Sequence, residues 1–154
     1  MEFLDSVLAR LASVTGGNTE LPGAGAAGGL GFALSELLGA ELTPGIDLCL
    51  ETIDIDSRLE GVDLVFTGEG ATDRQTLMGK APAGVAAKAA ARGIPVIGIA
   101  GNLGDGYEDL YDHGFTALHS VVPGPGSLED ALAQTGQNVE RTVRAVVQTF
   151  LAGR

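Results

Sequence analysis

Residue types that bind phosphate and metal are concentrated between positions 67 and 80 of the chain. Glycines leave backbone N–H groups open to oxyanions, Arg and Lys supply positive charge, and neighbouring carboxylates can hold Mg²⁺ or a substrate hydroxyl. The candidates are Gly68, Glu69, Gly70, Asp73, Arg74 and Lys80. This combination predicts a site for a phosphorylated ligand, with Glu69 and Asp73 as the metal candidates.

The same stretch is open to other interpretations. It is not a Walker A loop, because Lys80 is followed by Ala81 rather than Ser or Thr, and Arg74 stands where the first glycine would be required. The two carboxylates, Glu69 and Asp73, can also be ordinary solvated groups of a turn. The position of the stretch between a predicted strand and a predicted helix favours a functional role.

The distribution of basic residues supports the same stretch. Among 9 Lys and Arg, the only cluster comprises Arg74, Lys80, Lys88 and Arg92. Lys88 and Arg92 are better explained as cations near the carboxyl end of a helix, where they complement its dipole. Arg74 and Lys80 are therefore the cations expected at the site.

A strand, a helix and a second strand are expected to position these residues. Val62–Thr67 is a short apolar run typical of a buried strand, followed by a loop from residue 68 to 80. An alanine-rich helix is predicted from Pro82 to Arg92, and a second strand over Pro95–Ala100. Such a βαβ unit implies a parallel sheet, which binds ligands at the carboxyl ends of its strands. The loop Gly101–Gly106 follows the second strand and forms either the other wall of a pocket or a plain turn.

The remaining elements are predicted to be mostly helical. An amphipathic helix is expected before Gly16, a closely packed helix over residues 21–38, and a third strand over Thr116–Val122. A long helix starting at Ser127 is expected to cover the sheet, whereas residues 43–56 suit a strand or a helix equally. The predicted class is α/β: a partial Rossmann-like parallel sheet with flanking helices and a helical N-terminal segment.

A second glycine pattern lies near the N-terminus. Residues 23–28 match GxGxxG, the dinucleotide-binding fingerprint, through Gly23, Gly25 and Gly28. The fingerprint requires a strand directly before it, and the residues preceding Gly23 do not predict one. The alternative is a helix whose small residues permit close packing.

Composition excludes several classes of function. The chain has 154 residues and a net charge of −11, which argues against binding to nucleic acid or to an anionic membrane surface. Its single cysteine, Cys49, allows no intrachain disulfide, is expected to be a packing residue, and fits a cytoplasmic setting. His113 and His119 lack the spacing of a zinc motif and are expected to be structural or exposed.

Several ordered blocks of the sequence resemble the C-terminal part of bacterial glycerate kinases. The matching blocks are residues 22–31, 63–70, Asp73 with Gln75 and Thr76, residues 79–82, residues 95–97, and residues 100–101. The resemblance implies ATP-dependent phosphorylation of D-glycerate in a cleft faced by Gly23, Gly25, Gly28, Gly29 and the 68–80 loop. From the residue types themselves, Glu69, Asp73 and Lys80 are the catalytic candidates. Glu69 or Asp73 would hold Mg²⁺ or orient the glycerate hydroxyl, and Lys80 or Arg74 would neutralise phosphate charge.

The resemblance also predicts how the chain is organised. Residues 1–58 would be the end of an inserted domain and residues 59–154 part of a Rossmann-like domain that lacks its N-terminal section. Ala71 stands where relatives commonly carry a basic residue. We expect a fragment that is inactive alone and exposes an apolar sheet edge, with self-association as a consequence. The alternatives are a non-catalytic remnant or nucleotide-binding module, or one chain of a split kinase.

Overall fold

The computed structural model describes residues 2–153 and divides into two compact units, one ending at Pro44 and the other beginning at Gly45. The first unit contains two α-helices, α1 (Glu2–Thr15) and α2 (Ala26–Phe32), followed by a π-helical turn, Ala33–Leu37. Ala12, Ala24 and Phe32 form its small buried cluster. The described part of this unit contains no strand, so the dinucleotide fingerprint lacks the strand it needs.

The sequence predicted one continuous helix over residues 21–38, and this prediction is wrong for the first half of the segment. Ala27, Gly28 and Gly29 have φ values of 50°, 68° and 95°, which are left-handed conformations inside the segment. A side chain at Gly29 would overlap Leu8, and one at Gly31 would overlap the backbone of Gly23. Close packing of small residues, the alternative interpretation, therefore accounts for Gly29 and Gly31.

The second unit is a three-stranded parallel sheet flanked by helices. It begins with α3 (Gly45–Thr52) and α4 (Ile55–Arg58), which settles the ambiguous 43–56 segment as helical. The remaining elements, in chain order, are β1 (Val65–Thr72), α5 (Ala81–Ala90), β2 (Val96–Leu103), β3 (Ala117–Ser120), α6 (Leu128–Ala133) and α7 (Thr135–Ala152). Single 3-10 turns occupy Arg74–Leu77 and Tyr107–His113.

The sheet order is β1-β2-β3, and both pairings are parallel, as the βαβ pattern predicts. β1 and β2 extend further than expected, to Thr72 and Leu103, so the loops predicted to start at Gly68 and Gly101 begin as strand. The reason is mutual pairing: Glu69 lies opposite Ala100, and Thr72 opposite Leu103. Because β1 ends at Thr72, only Asp73 separates the strand from the following turn. β3 is shorter than its predicted span of Thr116–Val122.

The main core lies between the sheet and α5. Its buried members are Leu59, Ala86, Ala89, Val96, Leu110, Phe115 and Leu118. Two alanines of α5, Ala86 and Ala89, are fully buried, because their small side chains let the helix approach the sheet closely. α5 starts after Lys80 with Pro82 in its first turn, and Gly93 (φ 71°) follows its end, as the sequence predicted.

The long C-terminal helix predicted from Ser127 is divided at Gln134 into α6 and α7. Ser127 caps α6 by accepting a hydrogen bond from the Asp130 N–H, as expected. Arg141 ties α7 to the carboxyl end of the sheet by donating to the Val121 carbonyl at 2.7 Å. The helix covers the sheet only partly, since a groove of about 760 Å³ lies between Ile97 and Val146. No helix within residues 2–153 has the length and apolarity needed to cross a membrane.

Candidate functional site

The carboxyl end of β1 places Glu69 and Asp73 on either side of one lysine. Lys80, the residue before α5, lies with its Nζ 3.2 Å from Glu69 Oε2 and 3.9 Å from Asp73 Oδ1. The three residues come from the strand, its end and the start of the next helix, which is where the βαβ pattern puts them. The sequence-predicted trio is therefore brought together in the structure.

Local geometry explains why Asp73 turns the chain at this point. Asp73 is in extended backbone, and its Oδ1 accepts the Gln75 N–H at 2.8 Å. In return, the Asp73 N–H donates to the Thr76 hydroxyl at 3.2 Å, which completes a capping box. The contacts of the Asp73 side chain with the Gln75 N–H and with Lys80 both use Oδ1.

Glu69 is held more tightly than Asp73. Its Oε1 accepts hydrogen bonds from the hydroxyls of Thr76 at 2.5 Å and Thr72 at 3.3 Å, while Oε2 faces Lys80. The Glu69 side chain is 16% exposed, against 33% for Asp73. Sequence reasoning missed both threonines as site residues. The two threonines follow Glu69 by three and seven positions. This spacing indicates a contact with Glu69 only once β1 is known to reach Thr72.

Arg74 takes a different position from the other predicted cation. Its Nε lies 3.0 Å from Asp109 Oδ2 on the Tyr107–His113 turn, and its side chain is 70% exposed. A Cβ at Gly106 would come within 3.0 Å of the Arg74 guanidinium, so a glycine leaves room for that pairing. The described ion pair of Arg74 thus links two turns, and its contact with phosphate stays a prediction.

Lys88 and Arg92 lie near the carboxyl end of α5, as expected, and share a carboxylate partner that the sequence did not predict. Both pair with Asp56 of α4, at 3.3 Å from Lys88 Nζ and 2.6 Å from Arg92 Nη1. The hydrogen bonds from Arg92 and then Lys88 lower the pKa of the Asp56 carboxyl below its ordinary value. This partly exposed cluster links α4 to α5 and to the residues that follow it.

A cavity of about 500 Å³ adjoins the glycines of β1. Gly68, Glu69 and Gly70 form one wall, and Gly101 and Asn102 form another. These two residues of the predicted 101–106 loop belong to β2, and residues 104–106 are not among the lining residues. Leu132 and Val139 of the C-terminal helices close it. A Cβ at Gly70 would meet no atom within 4 Å, whereas one at Gly68 would overlap the Ile99 carbonyl. Gly68 is therefore required by strand packing, while Gly70 leaves open space.

The glycines predicted to face a cleft from the N-terminal region lie in the first unit. Neither Gly25 nor Gly28 would bring a Cβ within 4 Å of another atom, and at Gly23 the neighbour is Leu42 at 3.4 Å. At Gly29 a Cβ would overlap the Leu8 side chain, so the packing against Leu8 requires a glycine. Binding of phosphate by these glycines stays a prediction.

The remaining candidates have simple outcomes. Cys49 is exposed, so the expectation that it packs in a core is wrong; α3 turns Leu50 inward instead. His113 is exposed and His119 is half-buried, as expected. Within residues 2–153, no group of three or more His, Cys, Asp or Glu is arranged to hold a metal ion by itself. Mg²⁺ in phosphoryl-transfer sites is commonly held by one or two carboxylates with the substrate phosphates, so the pair at Lys80 fits that donor set.

Comparison with known proteins gives a consistent result. The sequence profile of the glycerate kinase family matches residues 1–151. The chain is 48% identical over 128 residues to a glycerate kinase of Bacillus subtilis (strain 168), covering 83% of this chain and 34% of that one. It is 41% identical over 134 residues to the glycerate 2-kinase of Escherichia coli (strain K12), covering 87% of this chain and 35% of that one.

A solved structure shows the same relationship. A crystal structure from Salmonella typhimurium LT2, whose protein carries the provisional name glycerate kinase 2, superimposes with a TM-score of 0.64 at 44% identity. The match covers 85% of this chain and 33% of that one. The chain therefore spans about a third of the length of the curated relatives it matches.

Proposed function

Because the chain belongs to the glycerate kinase family, we propose that it supplies the phosphate-binding part of an ATP-dependent kinase that converts D-glycerate to phosphoglycerate. The observation that supports this most is Lys80 held between Glu69 and Asp73 at the carboxyl end of β1. A kinase of this kind works mainly by positioning the reactants and neutralising charge on the transferred phosphoryl group. An ammonium with two carboxylates at one strand end can position the reactants and also neutralise that charge.

Each residue of the cluster has a separate role in the proposed reaction. A glycerate hydroxyl oxygen bonds to the γ-phosphorus of ATP, the bond from that phosphorus to the bridging oxygen breaks, and ADP leaves. Lys80 offsets charge on the phosphate oxygens. Asp73, the more exposed carboxylate, orients the glycerate hydroxyl and takes its proton or serves as metal ligand, while Glu69 fixes Lys80.

Mg²⁺ fits this arrangement through Asp73 and Glu69. The ion would supply positive charge to the phosphate groups. The cluster carries two negative charges and one positive, so phosphate alone meets net repulsion there. Asp73 and Glu69, by holding a divalent cation, would offset that repulsion.

The short length of the chain relative to its relatives shapes the rest of the proposal. With about a third of the relatives' length, the chain alone would form one side of a cleft, and we expect it to be inactive until the missing section is supplied. That section would be joined covalently or come as a second chain in the cytoplasm. Exposed apolar residues of the C-terminal helices, Leu128 at 75% and Leu132 at 66%, favour self-association of the isolated chain.

A hybrid enzyme tests the proposed function. In it, this chain replaces the matching segment of the B. subtilis kinase, and ADP release is measured with and without D-glycerate. We expect no turnover by the chain alone and glycerate-dependent turnover by the hybrid. Lys80→Met should reduce kcat strongly, whereas Lys88→Met, a matched change at a lysine paired with Asp56, should not.

Two results would count against the proposal. A folded hybrid without glycerate-dependent ADP release would favour the non-catalytic remnant, especially if ATP still binds. Full activity of the Lys80→Met hybrid would show that Lys80 has no role in the reaction.

A further inference from the structure

Thr76 carries a buried hydroxyl that joins the two carboxylate residues of the site. The residue has no solvent-exposed surface. Its hydroxyl donates to Glu69 Oε1 at 2.5 Å and accepts the Asp73 N–H at 3.2 Å. One small side chain therefore links the end of β1 to the turn that precedes α5.

Thr72 adds a second donor to the same carboxylate oxygen. It is 4% exposed, and its hydroxyl lies 3.3 Å from Glu69 Oε1. With two hydroxyls on Oε1, the other oxygen of Glu69 is left to face Lys80 Nζ at 3.2 Å. Hydrogen bonds to a carboxylate are stronger than those between neutral groups, so this pair sets the rotamer of an otherwise flexible side chain.

We propose that Thr76, assisted by Thr72, is a positioning residue that holds Glu69 and thereby fixes the ammonium of Lys80 between Glu69 and Asp73. The role rests on the proposed function of this site. Without the Thr76 hydroxyl, Glu69 loses its closer donor and Asp73 loses the acceptor for its N–H. Both partners of Lys80 are then loosened at once, although neither they nor Lys80 has been changed.

A purely structural role for Thr76 makes a different prediction. If the side chain only filled space under the turn, valine, which has nearly the same shape, would serve equally well. The positioning role instead requires the hydroxyl and predicts an effect on Lys80, although the described hydrogen bonds of the Thr76 hydroxyl go to Glu69 and Asp73.

The side-chain ammonium signals of the intact 154-residue chain provide the test by ¹⁵N–¹H NMR. The chain has two lysines, Lys80 and Lys88, and an ammonium held in an ion pair exchanges its protons slowly enough to be seen. We expect Thr76→Val to broaden or remove the Lys80 signal and leave that of Lys88, which pairs with Asp56, unchanged. Thr76→Ser, which keeps the hydroxyl, should restore the Lys80 signal.

The proposal is overturned if folded Thr76→Val retains both ammonium signals as in the original chain. Should Thr76→Val not fold, Thr72→Val carries the same expectation, since it removes the other donor to Glu69 Oε1, and an unchanged Lys80 signal there overturns the proposal as well. The measurement needs no turnover. An inactive hybrid enzyme would therefore count against the proposed function, while a Lys80 signal indifferent to Thr76 would count against the positioning role.

Discussion

Lys80 is the residue on which the charges of the site converge. Its side chain is 38% exposed, and its ammonium faces two carboxylates, so the charge is partly neutralised before any ligand arrives. A phosphate group must compete with Glu69 and Asp73 for it, and that competition is lessened if a cation occupies the carboxylates. Arg74, the other cation predicted for this loop, is paired with Asp109.

Replacing Asp73 with asparagine tests its proposed role as proton acceptor or metal ligand. The amide keeps the shape and an oxygen that can accept the Gln75 N–H, but it removes the negative charge and the ability to accept a proton. In the hybrid enzyme we expect kcat to fall by about 10²-fold or more, the range typical of losing a positioned acid–base group. Asp112→Asn, at an exposed position of the Tyr107–His113 turn, is the matched control and should leave kcat unchanged. Near-normal turnover of the Asp73 variant would exclude it from the reaction.

Asp56 gives a prediction about pH. Its hydrogen bonds to Arg92 and Lys88 lower its pKa in the folded chain. The resulting stabilisation is complete above the ordinary aspartate pKa of about 3.9 and is lost as the pH falls from there through the lowered native pKa. Asp56→Asn should therefore lower the urea midpoint at neutral pH, and the difference from the original chain should shrink below about pH 4. A difference independent of pH would contradict the assignment.

At the scale of elements, β1 and the turn after it decide what the site can be. The strand continues through Gly68 and Gly70 because it pairs with β2, so these glycines are part of a sheet rather than of a free loop. A side chain at Gly68 would overlap the Ile99 carbonyl. Gly68 therefore allows close packing of the strands, and Gly70 leaves open space at the cavity wall.

Packing of α5 against α3 also depends on a glycine. A Cβ at Gly84 would lie 2.5 Å from Ile46 Cγ1 and 3.3 Å from Leu50 Cδ1. Although alanine is the better helix former, Gly84→Ala should destabilise the chain by about 1–3 kcal/mol, the usual cost of overpacking. Gly136→Ala in α7 is the control: its Cβ meets nothing within 4 Å, and it should raise stability by up to about 1 kcal/mol. Urea unfolding of both variants measures these changes in stability. Equal changes in the free energy of unfolding would show that helix propensity alone determines the effect of each substitution.

At the scale of the whole molecule, the compact units divide at Pro44 and Gly45. The domain boundary predicted from the resemblance lies later, between residues 58 and 59. Leu50 is 3% exposed, Leu59 belongs to the main core, and Asp56 binds α5 through two cations. Helices α3 and α4 are therefore packed as part of the second unit. Their assignment to the end of an inserted domain stays a prediction about the longer relatives.

Two shortened chains test the importance of that packing. Residues 45–154 should fold cooperatively, because the buried contacts of α3 and α4 are retained. Residues 59–154 should have a clearly lower melting temperature, since removing Leu50 and Ile55 uncovers α5 and part of the core. Thermal unfolding followed by circular dichroism measures both. Equal melting temperatures would place the structural boundary at residue 58 after all.

The local sequence was sufficient to predict several features of this protein. Apolar runs and glycine stops predicted β1, α5 and β2 in order, and the gathering of Glu69, Asp73 and Lys80 followed from the rule that parallel strands present their carboxyl ends at one edge. The confirmed family membership rests on ordered residue blocks. These are properties of short segments and their spacing, which a linear pattern records directly.

Only the tertiary structure decided how far each strand runs and which partner each charge takes. The length of β1 depends on its pairing with β2, more than twenty residues later in the chain. Likewise, Arg74 pairs with Asp109, and Thr72 and Thr76 meet Glu69. Such pairings depend on the exact backbone path and on distances through space, and neither residue type nor local periodicity contains those distances.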